Sequence, residues 1–334
     1  MAIATAIASA GCGQDGDPAS SSRPTKIYVV SQHRAAIDVL DGTTLLLSSR
    51  IPTGDRRTPH MIEVSPARDQ LWISNPHQDS ALPDEVLVVD PRTDKLLARV
   101  ELDIAAYPQH LAIAPDGRTV YVGGLGNDKI YRIDARSFTL GPAIQPRREH
   151  NPHGLRLSPD GSRLYTANVN STVTEYDTAT GATLRDFTLP GPGLQLVLGD
   201  GALFVTVPMP ATVCRIELAS GVVTAWPLPA DARAPGALAW VSTAAGPRLA
   251  VAEQGDVINP GEHLLLLDPA TGALMQRHDI GRGGHGIAVT PGGAFVLVTG
   301  MYNDTVSVVD LASGLTTQAN VDAMPAGIAA WSAP

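Results

Sequence analysis

The chain has 334 residues, a formal net charge of −9 and two cysteines, Cys12 and Cys214. No Lys/Arg stripe is present that would neutralise a run of phosphates, which excludes a nucleic-acid binder, and no apolar run approaches the ~18 residues that span a bilayer. Two cysteines are too few for a disulfide framework or a thiolate metal cage, and Gly 32 with Pro 27 supplies about 18% of the chain, against a usual share of roughly 12%, so turns are frequent.

Residues 1–11 (MAIATAIASAG) are small and apolar and run into Cys12 before the polar stretch GQDGDPASSSRPT. This start resembles the end of a bacterial lipoprotein signal, with Ser9-Ala10-Gly11-Cys12 as the small-small-Cys box, although Ser9 stands where Leu is usual and the basic n-region is missing. The resemblance implies lipidation at Cys12 and a disordered tether ahead of residue 26, and hence an extracytoplasmic protein, periplasmic or at the cell surface, that touches membrane only through that anchor. The other reading is a disordered leader with an incidental cysteine.

From residue 26 onward one pattern repeats. KIYVVSQHRAAIDVLDGTTLLLSSRIP reads as three strands lacking a first. Copies follow in which a Pro-Asp-Gly-type turn (Pro115-Asp116-Gly117, Pro159-Asp160-Gly161, Gly199-Asp200-Gly201, Pro291-Gly292-Gly293, with Pro66 opening a degenerate copy) leads into a β-rich run such as QLWIS, TVYVGG, RLYTAN, ALFVTV or AFVLVTG. After a polar loop another strand ends in an acid: Asp90, Asp134, Asp177, Glu217, Asp268 or Asp310. Each acid precedes a turn such as TATG, LASG or PATG and is expected to accept backbone hydrogen bonds there. A fourth run completes the copy. No amphipathic helix of any length interrupts the series.

Four short strands per copy of 40 to 49 residues is the size of one propeller blade. First strands, A, are expected to begin near His60, Gln109, His153, Gly193, Gly236, His285 and Ala326, which makes seven. The last copy has only PAGIAAW, so the two chain ends complete one blade and remove an exposed strand edge. The expectation is an all-β, seven-bladed β-propeller of four-stranded antiparallel blades occupying residues 26–334 as one domain, after a lipoprotein-signal-like segment over 1–25, and a monomer.

At this point the repeats resemble the YVTN-type β-propeller family with its lactonase-like relatives, most closely over residues 286–316 and in GLRLSPDGSRLYTANVNSTVTEYDTATGATL. The resemblance covers residues 26–331 and implies architecture more than activity, because the motif consists of scaffold residues. No Trp-Asp dipeptide occurs, against a WD-repeat protein. The D-x-x-T-G turns faintly resemble quinoprotein blades, but the tryptophan of that motif is missing from DTATGATLRDF and DPATGALMQRH, so a quinone cofactor is not expected.

Strand A lies nearest the propeller axis, so equivalent A positions converge however far apart they are in sequence. His60, His153 and His285 share one slot, with Gln109 in the same slot and His110 beside it. Imidazoles converging with open positions suit a reactive divalent transition metal of unspecified identity, and the candidate ligands are His60, His153, His285, Gln109 and His110. A small-molecule ligand or substrate in this funnel is the companion expectation; simple channel filling by hydrogen-bonded histidines stays open. His33 and His77 fall in loops between second and third strands (B–C loops), His263 ends another, His150 precedes a strand A, and His278 sits in a fourth strand. The long B–C loop EQGDVINPGEH offers Glu253 or Glu262 as a general base, and Glu253 with His77 are the candidate catalytic residues. Cys214 lies inside a strand and carries no chemistry. Three function classes follow: a metal-dependent lyase or ring-opening hydrolase, lactonase-like if it is an enzyme; a non-catalytic module binding a ligand, or a partner protein on the B–C loop face; or a tethered surface scaffold with no specific small-molecule site.

Overall fold

The computed structural model describes residues 23–146, 150–243 and 245–334. The lipidation expected at Cys12 falls outside the described residues. Among the described residues, twenty-eight strands form seven four-stranded antiparallel sheets. The closing blade holds β1 (Lys26–Ser31), β2 (Ala36–Asp41) and β3 (Leu47–Pro52). The next three are β4 (Ile62–Val64), β5 (Leu71–Asn75), β6 (Pro83–Asp90) and β7 (Lys95–Ile104); β8 (Pro108–Ile113), β9 (Thr119–Gly124), β10 (Lys129–Asp134) and β11 (Thr139–Leu140); and β12 (Pro152–Leu157), β13 (Arg163–Asn168), β14 (Thr172–Asp177) and β15 (Thr183–Thr188). Then come β16 (Leu196–Gly199), β17 (Ala202–Val207), β18 (Thr212–Glu217) and β19 (Val223–Pro227), followed by β20 (Pro235–Thr243), β21 (Gly246–Glu253), β22 (His263–Leu267) and β23 (Leu274–Asp279). Last are β24 (Gly284–Val289), β25 (Phe295–Gly300), β26 (Thr305–Asp310), β27 (Thr316–Asn320) and the single strand β28 (Pro325–Trp331).

β28 pairs antiparallel with β1, Lys26 opposite Trp331, so the chain ends close the ring as the repeat count requires. Side chains fasten the closure to the following blade. Trp331 Nε1 donates to the Arg68 carbonyl at 2.8 Å, and Arg68 Nε donates back to the Ser332 carbonyl at 2.8 Å.

Burial explains the strand pattern. Second and third strands are buried on both faces, as in β17 (ALFVTV) and β25 (FVLVTG), because each blade is covered on both sides by its neighbours. Outer strands such as β19 and β27 are exposed or half-buried along their length. The core is accordingly seven separate clusters between adjacent blades: Trp72, Val86 and Val88 of one blade pack on Leu111, Val120 and Val122 of the next.

The turn acids behave as expected. Asp134, Asp177, Asp268 and Asp310 each accept backbone N–H bonds two or three residues on. These backbone donations hold their carboxyls below the usual range. Glu217 differs: its longer side chain reaches Arg215 at 2.6 Å instead. The closing glycines of the same turns, Gly181, Gly272 and Gly314, sit at φ of 74–75°, where a side chain would be strained.

Candidate functional site: the central channel

The seven A strands line the axis in layers, and the backbone pairing sets their registration. His60 N donates to Ser74 O, and Ser74 N to Met61 O; Leu194 N donates to Thr206 O, and Thr206 N to Gln195 O. Leu194 therefore occupies the slot of His60, one residue beyond the Gly193 that sequence spacing suggests. The turn that follows is the cause: Gly199 pairs directly with Ala202, whereas its counterpart Ser158 pairs with Arg163, so counting back from this shorter turn points to Gly193. Other strand A starts carry a β-bulge. The register shifts between Pro152 and Gly154, Pro108 and Leu111, Pro235 and Ala237, and Gly284 and Ile287. Bulges of this kind re-aim side chains next to sites.

The upper layer gathers four imidazoles from four blades. Ring centres lie 5.1 Å apart for His60 and His285, 5.2 Å for His110 and His153, 6.4 Å for His60 and His110, and 6.5 Å for His60 and His153. His153 Nδ1 pairs with the Leu194 carbonyl at 2.9 Å, and His60 Nδ1 with Gln32 Nε2 at 2.7 Å. His60 Nε2, His110 Nε2 and both ring nitrogens of His285 are buried without a hydrogen-bond partner. Burial keeps the cluster neutral. It pushes His153 down to about 4 and His285 to about 3, and holds His60 and His110 well below the ordinary imidazole value, with neighbouring histidines adding to the effect for all but His153. As placed, no group of three or more His, Cys, Asp or Glu side chains among the described residues is spaced to hold a metal ion.

The second slot position is as informative as the first. His110 joins the imidazoles, whereas Gln109 is buried at 4% exposure with no hydrogen bond to any of the four rings among the described residues. One residue further on, every blade supplies Ile or Leu: Ile62, Leu111, Leu155, Leu196, Leu238, Ile287 and Ile328. The next layer reads Glu63, Ala112, Arg156, Val197, Ala239, Ala288 and Ala329. Within it Arg156 Nη1 donates to Glu63 Oε1 at 2.9 Å across two blades. A small cavity of about 30 Å³ touching Glu63, Arg156, Gln195 and His110 connects this pair to the imidazole level. Glu63 is thus a carboxylate that shares the channel with the histidines, and sequence reasoning missed it; three residues past the histidine slot was the available signal.

The two candidate catalytic residues stand apart from this cluster. Glu253 ends β21 with its side chain wholly buried, one oxygen 3.1 Å from His263 Nδ1 and the other without a partner. His77 is folded into its own loop, where its Nδ1 accepts from Asp79 N at 2.9 Å. No contact among the described residues joins either to the four imidazoles. Of the remaining histidines, His150 is buried against Tyr176 and Thr174, and His33 is exposed. Glu262 pairs with Arg282 at 2.9 Å.

Comparison with known proteins agrees on the architecture. A protein of Escherichia coli O157:H7 described as uncharacterized protein YncE is 28% identical over 149 residues, which is 42% of this chain and 40% of that relative's length. Among solved structures, the periplasmic gluconolactonase PpgL of Pseudomonas aeruginosa matches with a TM-score of 0.71 at 20% identity, covering 92% of this chain and 99% of that one. The hydrazine synthase of Kuenenia stuttgartiensis matches with a TM-score of 0.67 at 17% identity, covering 82% and 90%. At those identities the likeness is one of fold. A family model, PQQ_2, described as outer membrane protein assembly factor BamB, matches residues 143–322, a span that contains the D-x-x-T-G turns at Asp177 and Asp268. With more than half of its length so matched, the chain belongs to this PQQ_2 family of β-propeller proteins.

Proposed function

We propose that the chain is an extracytoplasmic propeller whose His60, His110, His153 and His285 take up a divalent transition metal at the upper end of the channel. The observation that carries the reading is the convergence of four neutral imidazoles from four blades with four ring nitrogens left unpaired. An imidazole bound at ~2.0–2.1 Å places its ring centre about 3.2 Å from the ion, so rings on one ion stand roughly 4.5–5.2 Å apart. The His60–His285 and His110–His153 pairs have that spacing, and uptake of one ion by all four rings requires the remaining pairs to draw closer. Such an ion would polarise a carbonyl or activate a water, the chemistry of a lyase or ring-opening hydrolase. Glu63 borders the same small cavity as His110. The resemblance of residues 286–316 to lactonase-like repeats is what suggests that reaction class, and the periplasmic gluconolactonase shares the fold. The latter and the Ser9–Cys12 box support the location, with Cys12 as lipid anchor.

The wider ring pairs favour a second reading, in which a small polar molecule sits between the imidazoles and the protein is a non-catalytic binding module. A partner protein on the B–C loop face belongs to this reading, since Val257 and Ile258 stand 77% and 88% exposed there. Calorimetric titration of chelator-treated protein, without a histidine tag, with zinc, nickel, copper and cobalt salts separates the two. The metal reading expects one equivalent bound at micromolar Kd or tighter, lost in the H60A/H153A/H285A variant with little change in Tm. Absence of stoichiometric uptake by the parent would sink it.

A further inference from the structure

Below the Ile/Leu layer the channel widens again. Five of the seven residues level with Glu63 and Arg156 are Ala or Val, and the space they leave opens to the Pro-Asp-Gly turn face as a cavity of about 520 Å³. That is small-molecule size, since ligand sites run ~300–1,000 Å³. Its wall is chemically uneven. Apolar side chains of Val64, Val197, Ile287 and Val289 line part of it, and Trp240 adds an aromatic flank held against Gly199 and stacked on Phe204 at 5.8 Å. Charge enters from Arg68, Arg156 and Glu63. Two guanidiniums against one carboxylate leave the chamber one positive charge in excess, inside a protein of net charge −9.

Both arginines are pre-positioned with donors to spare. Arg68 is fixed through Nε and Nη2 on the carbonyls of Ser332 and Ala330, which leaves Nη1 to donate. Arg156 is held through Nη1 on Glu63, which leaves Nε and Nη2. A planar fork with free N–H groups in a partly dehydrated wall is suited to a carboxylate, which it binds with geometric specificity that an ammonium lacks.

We propose that this lower chamber is a second binding site, separate from the imidazole cluster, for a small organic carboxylate with an apolar ring or chain. The carboxylate pairs with Arg156 and Arg68, and the apolar body lies against the Val/Ile wall beside Trp240. Glu63 competes with the ligand for Arg156 and so sets its affinity.

The full-length protein is titrated with benzoate and, as a neutral match, benzyl alcohol, by calorimetry and tryptophan fluorescence. Benzoate is expected to bind at least tenfold more tightly than benzyl alcohol. R156Q weakens benzoate at least tenfold, E63Q tightens it severalfold by releasing Arg156, and A288F abolishes it by filling the chamber. A purely structural role for the ion pair would not produce opposite signs in R156Q and E63Q. Equal affinity for benzoate and benzyl alcohol overturns the proposal, as does an E63Q variant that binds benzoate no better than the parent. E63Q keeps the test decisive even where R156Q fails to fold.

Discussion

At the scale of single residues, the channel histidines store an acid sensitivity. An exposed imidazole in the unfolded chain protonates near 6.5, whereas His153 and His285 resist protonation down to about 4 and about 3 because burial disfavours the charged form. Between those values the unfolded chain binds more protons than the folded one, so stability falls as pH drops through that window. The slope is expected to be steepest from about pH 6.5 to pH 4 and to flatten once the folded imidazoles also protonate. Tm followed from pH 7.5 to pH 4 in the parent and in H60A/H153A/H285A checks this: the variant should lose Tm less steeply. Parallel curves would mean that other groups dominate. Glu253 is buried against His263 of the same blade, so its carboxylate belongs to that blade and is not offered to the channel.

At the scale of elements, β28 bears more than its seven residues suggest. Without it β1 becomes an open edge, and the Trp331 and Arg68 bonds to the neighbouring blade are lost. An unpaired inner edge with a strand as apolar as KIYVVS is a template for association. Deleting residues 325–334 is therefore expected to abolish the cooperative monomer, giving oligomers by size-exclusion chromatography and a broad, low thermal transition. The strands themselves were legible in the sequence, because blade interiors are apolar runs of five or six residues bracketed by Asp- and Gly-rich turns. Their exact entry points were less so. The turn after β16 is two residues shorter than the one after β12, which is why spacing points to Gly193 where Leu194 stands, and the β-bulge between Pro108 and Leu111 makes Gln109 and His110 hard to rank. A bulge depends on backbone pairing, and no residue type announces it.

At the scale of the whole molecule, the candidate site was half visible. Shared slots brought His60, His153 and His285 together on paper, since seven-fold repetition turns sequence spacing into spatial coincidence. Glu63 and Arg156 were not visible, because each looks like an ordinary surface residue until the blades are closed and residues 93 apart face each other. Glu253 drew attention through loop length, a signal that reports an irregular loop without saying where the strand beside it points. The closed ring carries one more consequence. Thr25 N lies 3.1 Å from Ser332 Oγ, so the place where the chain is cut is one seam among seven equivalent ones. A circular permutant that joins residue 332 to residue 25 through a short linker and opens instead at the equivalent turn, within 291–293, should fold with native-like Tm and an unaltered metal titration. In that sense the molecule has a direction but no beginning.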